Sequence, residues 1–287
     1  MSVENVTAAV IGTGFIGPVH IEALRRIGGV EIVAVGSRDL RKAKSIADTY
    51  SIPKVYSGWK EIVRDREVQV IHNCTPNYLH FEINRAAIAA GKHVVSEKPL
   101  AITSRESSRL LKLAQQNGVV HAVNFNYRFY PLIQQARSMI RRGELGNIYL
   151  VHGHYLQDWL SDSDDYNWRL EPAIGGPTRA VADIGSHWCD LVQFITGSII
   201  TRVCADLVTI HKKRRKPAGF METFGGRGRI SGHRSRVPVT TEDAAIVMMR
   251  FDNGSRGVFT LSQVSAGRKN REWFEIDGEK KALAWDQ

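Results

Sequence analysis

Cysteine is scarce in this sequence. Cys74, Cys189 and Cys204 stand far apart and odd in number, which gives neither a disulfide framework nor the paired spacing of a zinc site. Long apolar runs are missing too: nothing approaches the roughly 20 residues that cross a bilayer as a helix, so a membrane is not an expected partner. The opening MSVENVTAAVIGTG has no basic stretch ahead of an apolar one, and a cytoplasmic chain without a signal peptide is the expectation. Acidic residues are in deficit, 29 against 39 Lys and Arg, leaving a net charge of +10. That excess is local. Residues 211–236 hold nine Lys and Arg against the single acid Glu222, and the rest of the chain is nearly neutral. The segment is rich in Gly and poor in aliphatics, which reads as a long, mobile, solvated loop. No recognised nucleic-acid module surrounds it, so nucleic acid is not an expected partner.

At 287 residues the chain has room for two ordinary domains. Apolar β-type runs at 6–11, 30–35, 68–73, 93–96 and 119–123 alternate with amphipathic stretches such as 39–50 and 103–117. This alternation predicts an α/β domain over 1–124, a doubly wound parallel sheet of Rossmann type. From residue 125 the texture changes. A helix over 132–142, a strand near 148–156, a helix near 180–196 and then mostly strands predict a second domain over 125–287. It is α+β, with a large open, mainly antiparallel sheet. Asn253-Gly254 and Asp277-Gly278 mark turns between strands.

The first strand runs into Gly12-Thr13-Gly14-Phe15-Ile16-Gly17 and a helix. A G-x-G-x-x-G is weak alone, but between strand and helix at the start of a βαβ unit it reads as a dinucleotide site. The glycines permit a tight turn and close backbone approach, with the pyrophosphate on the helix N-terminus. The second strand ends in Gly36-Ser37-Arg38-Asp39. Asp39 suits the cap of the next helix, and a hydroxyl beside a guanidinium suits a phosphate. NADP is therefore the favoured cofactor, with NAD the alternative.

With these elements placed, the chain resembles the glucose–fructose oxidoreductase/inositol dehydrogenase family (Gfo/Idh/MocA) over nearly its whole length apart from the basic loop. The resemblance rests on Gly12–Gly17, on Cys74-Thr75-Pro76-Asn77-Tyr78-Leu79-His80, on Ala90 to Leu100 with its Glu97-Lys98-Pro99, and on Asp183-Ile184-Gly185-Ser186-His187-Trp188-Cys189-Asp190. It implies an oxidoreductase that moves a hydride between a nicotinamide and the hydroxyl carbon of a sugar or cyclitol. Lys98, Asp183 and His187 would be catalytic, with Lys98 against the reacting hydroxyl and the nicotinamide ribose and Pro99 after a cis peptide. Thr75, Pro76, Asn77, His80 and Glu97 would join Gly12, Gly14, Phe15, Ile16, Gly17, Ser37 and Arg38 around the cofactor. Arg128 of Asn126-Tyr127-Arg128 and Trp168-Arg169 would border cofactor and substrate.

Asp183 and His187 lie four apart in an expected helical start, on one face. His187 has the intrinsic pKa to exchange a proton near neutrality. A metal shared among His152, His154, Asp158, Asp183, His187 and Asp190 is the competing use of these residues. Hydride transfer needs none, and no metal is expected. Residues 155–169 mix carboxylates, amides and indoles without a cluster of Lys or Arg, which suits a neutral sugar or cyclitol over a sugar phosphate. Two other functions share the fold: a redox-neutral glycosidase working on retained NAD, and a non-catalytic regulator that senses cofactor or sugar. The resemblance also implies a homodimer or homotetramer formed through the open sheet. Family members usually run past the point where this chain stops, so a C-terminally shortened second domain is expected.

Overall fold

A computed structural model describes residues 5–218 and 234–287. The chain divides into two units, one ending at Asn124 and the other beginning at Phe125.

The first unit alternates β1 (Val6–Ile11), α1 (Ile16–Arg26), β2 (Val30–Gly36), α2 (Leu40–Tyr50), β3 (Lys54–Tyr56), α3 (Trp59–Arg64), β4 (Val70–Asn73), α4 (Asn77–Ala89), β5 (His93–Ser96), α5 (Ser104–Asn117) and β6 (His121–Val123). Its six strands are all parallel, in the order β3-β2-β1-β4-β5-β6. Continuous apolar runs suit such a sheet because both faces are covered. In β1, Ala8 and Val10 pack with Ile21, Leu24, Ile46 and Ala47 of α1 and α2. Ala9 and Ile11 face the opposite core, with Ile62, Ile83 and Leu110 of α3, α4 and α5. The strand order reverses between β1 and β4, which opens a crevice at their carboxyl ends. β3 and α3 escape the periodicity reading, because β3 is three half-buried edge residues with no apolar run.

The second unit holds α6 (Pro131–Arg141), β7 (Ile148–Leu156), α7 (Pro172–Gly175), α8 (Ser186–Thr196), β8 (Ile200–Val208), β9 (Lys213–Pro217), β10 (Arg234–Pro238), β11 (Ala244–Phe251), β12 (Arg256–Ser262), β13 (Arg271–Gly278) and β14 (Ala282–Asp286). Six strands form a sheet in the order β14-β13-β7-β12-β11-β8. It is antiparallel except for the β7–β12 pair. One face carries Val151, Tyr155, Val247, Phe259, Leu261, Phe274 and Ile276 against Ile133 and Ala136 of α6 and Trp188, Leu191 and Ile195 of α8. Trp188 stacks on Phe259 with centroids 4.4 Å apart. The other face is open, with Ile246 54% and Met248 56% exposed.

Two expectations need correction. The helix expected over 180–196 is not one α-helix: Val181–Gly185 form a wider π-type turn, and α8 starts only at Ser186. Gly185 inside the run weakens the α-helical preference there, and such wide turns occur mostly as single turns at functional sites. The basic 211–236 segment is not loop throughout. β9 and β10 pair antiparallel from Lys213↔Pro238 to Pro217↔Arg234. The composition concealed this ribbon because its strands are mostly charged: Arg214 is buried, and Val237 opposite it packs on a small apolar cluster. Residues 219–233 of the segment lie outside the described residues.

Candidate active site

In the first unit the glycine motif has the shape a dinucleotide needs. Gly12 has φ +105°, and a Cβ there would lie 2.5 Å from the Cys74 carbonyl oxygen. A Cβ on Gly17 would meet the Gly12 carbonyl oxygen at 2.2 Å, whereas one on Gly14 has nothing within 4 Å. The outer glycines thus close the turn, and the middle one faces open space at the start of α1. That helix has no side-chain cap, so its first turn suits a pyrophosphate. Phe15 is exposed and Ile16 half-buried beside it. At the end of β2, Thr13 Oγ1 donates to Ser37 Oγ at 2.9 Å. Asp39 caps α2 by accepting from the Lys42 amide at 3.1 Å, and Arg38 is exposed.

Beyond β4, Thr75 Oγ1 donates to Asn73 Oδ1 at 2.7 Å, Pro76 stands at the N-cap position of α4 without a side-chain capping bond, and Asn77 begins the helix. His80 is fully buried. One ring nitrogen lies 2.7 Å from the Thr75 carbonyl oxygen and the other 2.7 Å from that of Pro99. Burial lowers its pKa against the pull of those carbonyls. It ties the Thr75 loop to the Glu97-Lys98-Pro99 turn from behind, and its side chain offers no surface to a cofactor. The Lys98–Pro99 bond is cis. Glu97 is buried too, with Oε1 accepting from Asn124 Nδ2 at 2.6 Å and lying 3.0 Å from His20 Nε2. Burial opposes its ionisation, but His20 and Asn124 outweigh it and hold the carboxyl below the usual range. His20 Nδ1 in turn lies 2.9 Å from His72 Nδ1. Lys98, half-buried, therefore projects from a turn braced by buried polar groups at the carboxyl edge of the sheet.

In the second unit, Asp183 lies in the π-type turn and His187 in the first turn of α8. Asp183 Oδ2 accepts from Gln263 Nε2 at 2.9 Å, and Oδ1 from Arg169 Nε at 3.3 Å. The Arg169 guanidinium lies 4.4 Å from the centre of the Trp168 ring. His187 is stacked on Tyr127 with centroids 4.6 Å apart and meets the Phe125 ring edge-on. Tyr127 shares a hydrogen bond of 2.7 Å with Tyr155. Arg128 forks onto both oxygens of Asp190, one helical turn after His187. The histidines and acids named as a possible metal cluster are not gathered together. His152 and His154 lie on the open face of the sheet against Trp273, away from the face that carries Tyr155. Among the described residues one trio, His152, Glu275 and Asp277, brings ligand atoms within 4.8 Å of one another.

Comparison with known proteins draws the two units together under one description. The model of the oxidoreductase family with NAD-binding Rossmann fold matches residues 6–125, and that of the GFO/IDH/MocA C-terminal domain matches 133–284. The chain belongs to the GFO/IDH/MocA family. Levoglucosan dehydrogenase of Pseudarthrobacter phenanthrenivorans is 32% identical over 99% of this chain and 74% of its own length. Inositol 2-dehydrogenase of Salmonella paratyphi B is 34% identical over 67% of this chain and 54% of its own length. A solved structure of levoglucosan dehydrogenase in complex with NADH and levoglucosan superposes with a TM-score of 0.88. It is 30% identical and spans 99% of this chain and 74% of that one.

For a GFO/IDH/MocA chain, the residues that brace the site are as informative as the motifs. His20, Asn124 and Gln263 were not singled out in the sequence. His20 had a signal, since it lies three residues after the last motif glycine. Gln263 and Asn124 had none, because their partners are distant in sequence. Glu272 was missed as well. It is fully buried opposite Tyr155, its carboxylate oxygens have no hydrogen bond among the described residues, and burial with the Asp190 charge pushes it well above the usual range.

Proposed function

We propose that this chain is an NAD(P)-dependent dehydrogenase oxidising a hydroxyl carbon of a neutral sugar or cyclitol. The observation that carries the reading is the near full-length similarity to levoglucosan dehydrogenase, together with Lys98, Asp183 and His187 at their expected sequence positions. The bound nicotinamide supplies the hydride acceptor. The chain's own groups manage the proton and the charge. The His187 imidazole takes the hydroxyl proton, and the Lys98 ammonium lies against the oxygen as negative charge develops there. Asp183, held by Gln263 and Arg169, maintains the electrostatic setting of His187. The carbon loses its hydride as the C–O bond becomes a carbonyl, so O–H and C–H are broken and two electrons leave. Phe15, Ile16, Thr75, Pro76 and Asn77 would line the dinucleotide, and Trp168 and Arg169 the substrate.

The dinucleotide is proposed to be either NADP or NAD, with Arg38 biasing the chain toward NADP. No carboxylate is left at the tip of β2 to bind a ribose 2′-hydroxyl, because Asp39 caps α2. NADH in a relative's structure argues for NAD as a usable partner. Arg38→Asp should weaken NADP binding far more than NAD binding. Equal losses, measured by fluorescence titration, would refute the bias. The reading as a whole is tested by a panel of sugars and cyclitols with each cofactor, followed at 340 nm. Steady accumulation of reduced cofactor is expected, and release of an aglycone without net reduction would overturn it.

A further inference from the structure

The second unit holds a buried polar cluster outside the groups assigned to the reaction. Asp243 and Glu242 stand just before β11, and Arg179 and Arg214 reach them from separate parts of the chain. Asp243 is 0% exposed, and both arginines are 1% exposed. Asp243 Oδ1 accepts from Arg179 Nη2 and from Arg214 Nη2, while Oδ2 takes the amides of Ile210 and His211 at 2.7 and 2.9 Å. Glu242 Oε1 accepts the amides of Arg179 and Val181, both at 2.8 Å. Those amides open the π-type turn that carries Asp183. The backbone of Asp243 holds the Gln263 amide at 2.9 Å, and the Gln263 side chain holds Asp183.

Arg214 belongs to β9, in the basic segment that composition read as solvated insertion. Its guanidinium does something else. Nη1 donates to the carbonyl oxygens of Asp162 and Asp165 at 2.7 and 3.1 Å, and Nη2 to that of Leu160 at 2.8 Å. Three carbonyls of the segment 155–169 thus converge on one buried cation. This segment has little regular structure of its own, so its path depends on what holds its carbonyls. Lys216 and Arg215 continue the grip from the same strand, Lys216 on Glu171 at 2.8 Å and Arg215 on Asp164.

We propose that Arg214 is a positioning residue for substrate selection: from the ribbon it fixes the backbone of 160–165 and so places Trp168 and Arg169 for the sugar. The proposal rests on the dehydrogenase reading above. The same Asp243 that anchors Arg214 also anchors Arg179 before the Asp183 turn, so one carboxylate sets the substrate segment and the catalytic turn in common register. A bidentate, forked cation suits several acceptors at fixed angles where an ammonium does not.

The test compares the full chain with Arg214→Met and Arg214→Lys. Removing Arg214 leaves Asp243 with Arg179 and two amides, so no carboxylate is stranded. In Arg214→Met the KM for the sugar should rise roughly tenfold or more, because small misplacements of binding groups are costly, while kcat moves less than threefold. The dissociation constant for NADH should stay within twofold, and Arg214→Lys should recover part of the lost affinity. Hydrogen exchange at 158–171 should quicken by a similar factor, with β11 and β12 unchanged. Unchanged exchange at 158–171 overturns the proposal, as does quickened exchange with the sugar KM within twofold of the parent. Equal losses in KM, kcat and NADH affinity also overturn it, since they mark a general structural role. If the parent turns over no sugar of the panel, the dehydrogenase reading fails, and exchange alone then judges whether Arg214 fixes the segment.

Discussion

Lys98 and His187 can each be removed singly. Lys98→Ala or His187→Ala should lower kcat by about two orders of magnitude or more while circular dichroism remains that of the parent. A near-parental rate in either variant would refute the role assigned to that residue. The buried histidine pair makes a separate prediction about pH. Burial and the neighbouring His20 push the His72 imidazole down to about 4 from an ordinary 6.5. Between those values the unfolded chain binds a proton that the folded chain refuses. Stability is therefore fully present above pH 6.5 and falls as pH drops toward 4, by about 3 kcal/mol from this residue. Urea unfolding across that range should show the loss, and His72→Gln, which keeps a polar partner for His20 but cannot titrate, should flatten it. An unchanged pH slope in the variant would show that another group is responsible. At this scale the motif residues were legible because each is tied to a local backbone shape. Gly12 must adopt φ +105°, and Lys98 follows from its place after a strand. Gln263 and Asn124 were not legible, since their meaning comes only from Asp183 and Glu97, which are far away in sequence.

At the scale of elements, local chemistry announced itself where it was self-contained. α5 begins with a capping box in which Thr103 Oγ1 accepts from the Glu106 amide at 3.2 Å and Glu106 Oε2 accepts from the Thr103 amide at 3.2 Å. It ends at Gly118, with φ +62°. Thr103→Ala should lower stability by about 1 kcal/mol, read as a lower urea midpoint with an unchanged slope, and a loss below a tenth of that would show the box is idle. The parallel strands were equally legible, as apolar runs wrapped on both sides. β3, the π-type turn before α8 and the β9–β10 ribbon were not. β3 is too short for a period to show, the turn differs from an α-helix by one residue of winding, and the ribbon's inward group is Arg214, which composition counts as surface charge.

For the molecule as a whole, the open face of the second sheet bears on assembly. Ile246 and Met248 stand there with Leu150 and Val258 on neighbouring strands, and exposed apolar patches of this kind mark association surfaces. We propose self-association through this face, as a dimer or a dimer of dimers. Light scattering at micromolar concentration should give a multiple of the 32.1 kDa chain mass, and Met248→Arg should lower it toward the monomer. A parent that scatters as a monomer would refute the assignment. The one parallel pairing in this sheet has a consequence for how the chain is made. β7 takes its central place between β12 and β13, yet about a hundred residues separate it from either. During synthesis the first unit's strands can zip up nearly in the order they emerge, whereas β7 must wait, both of its edges unpaired, for most of the second unit to follow. Nascent chains stalled within β8 to β11 should therefore be the species that chaperones hold longest.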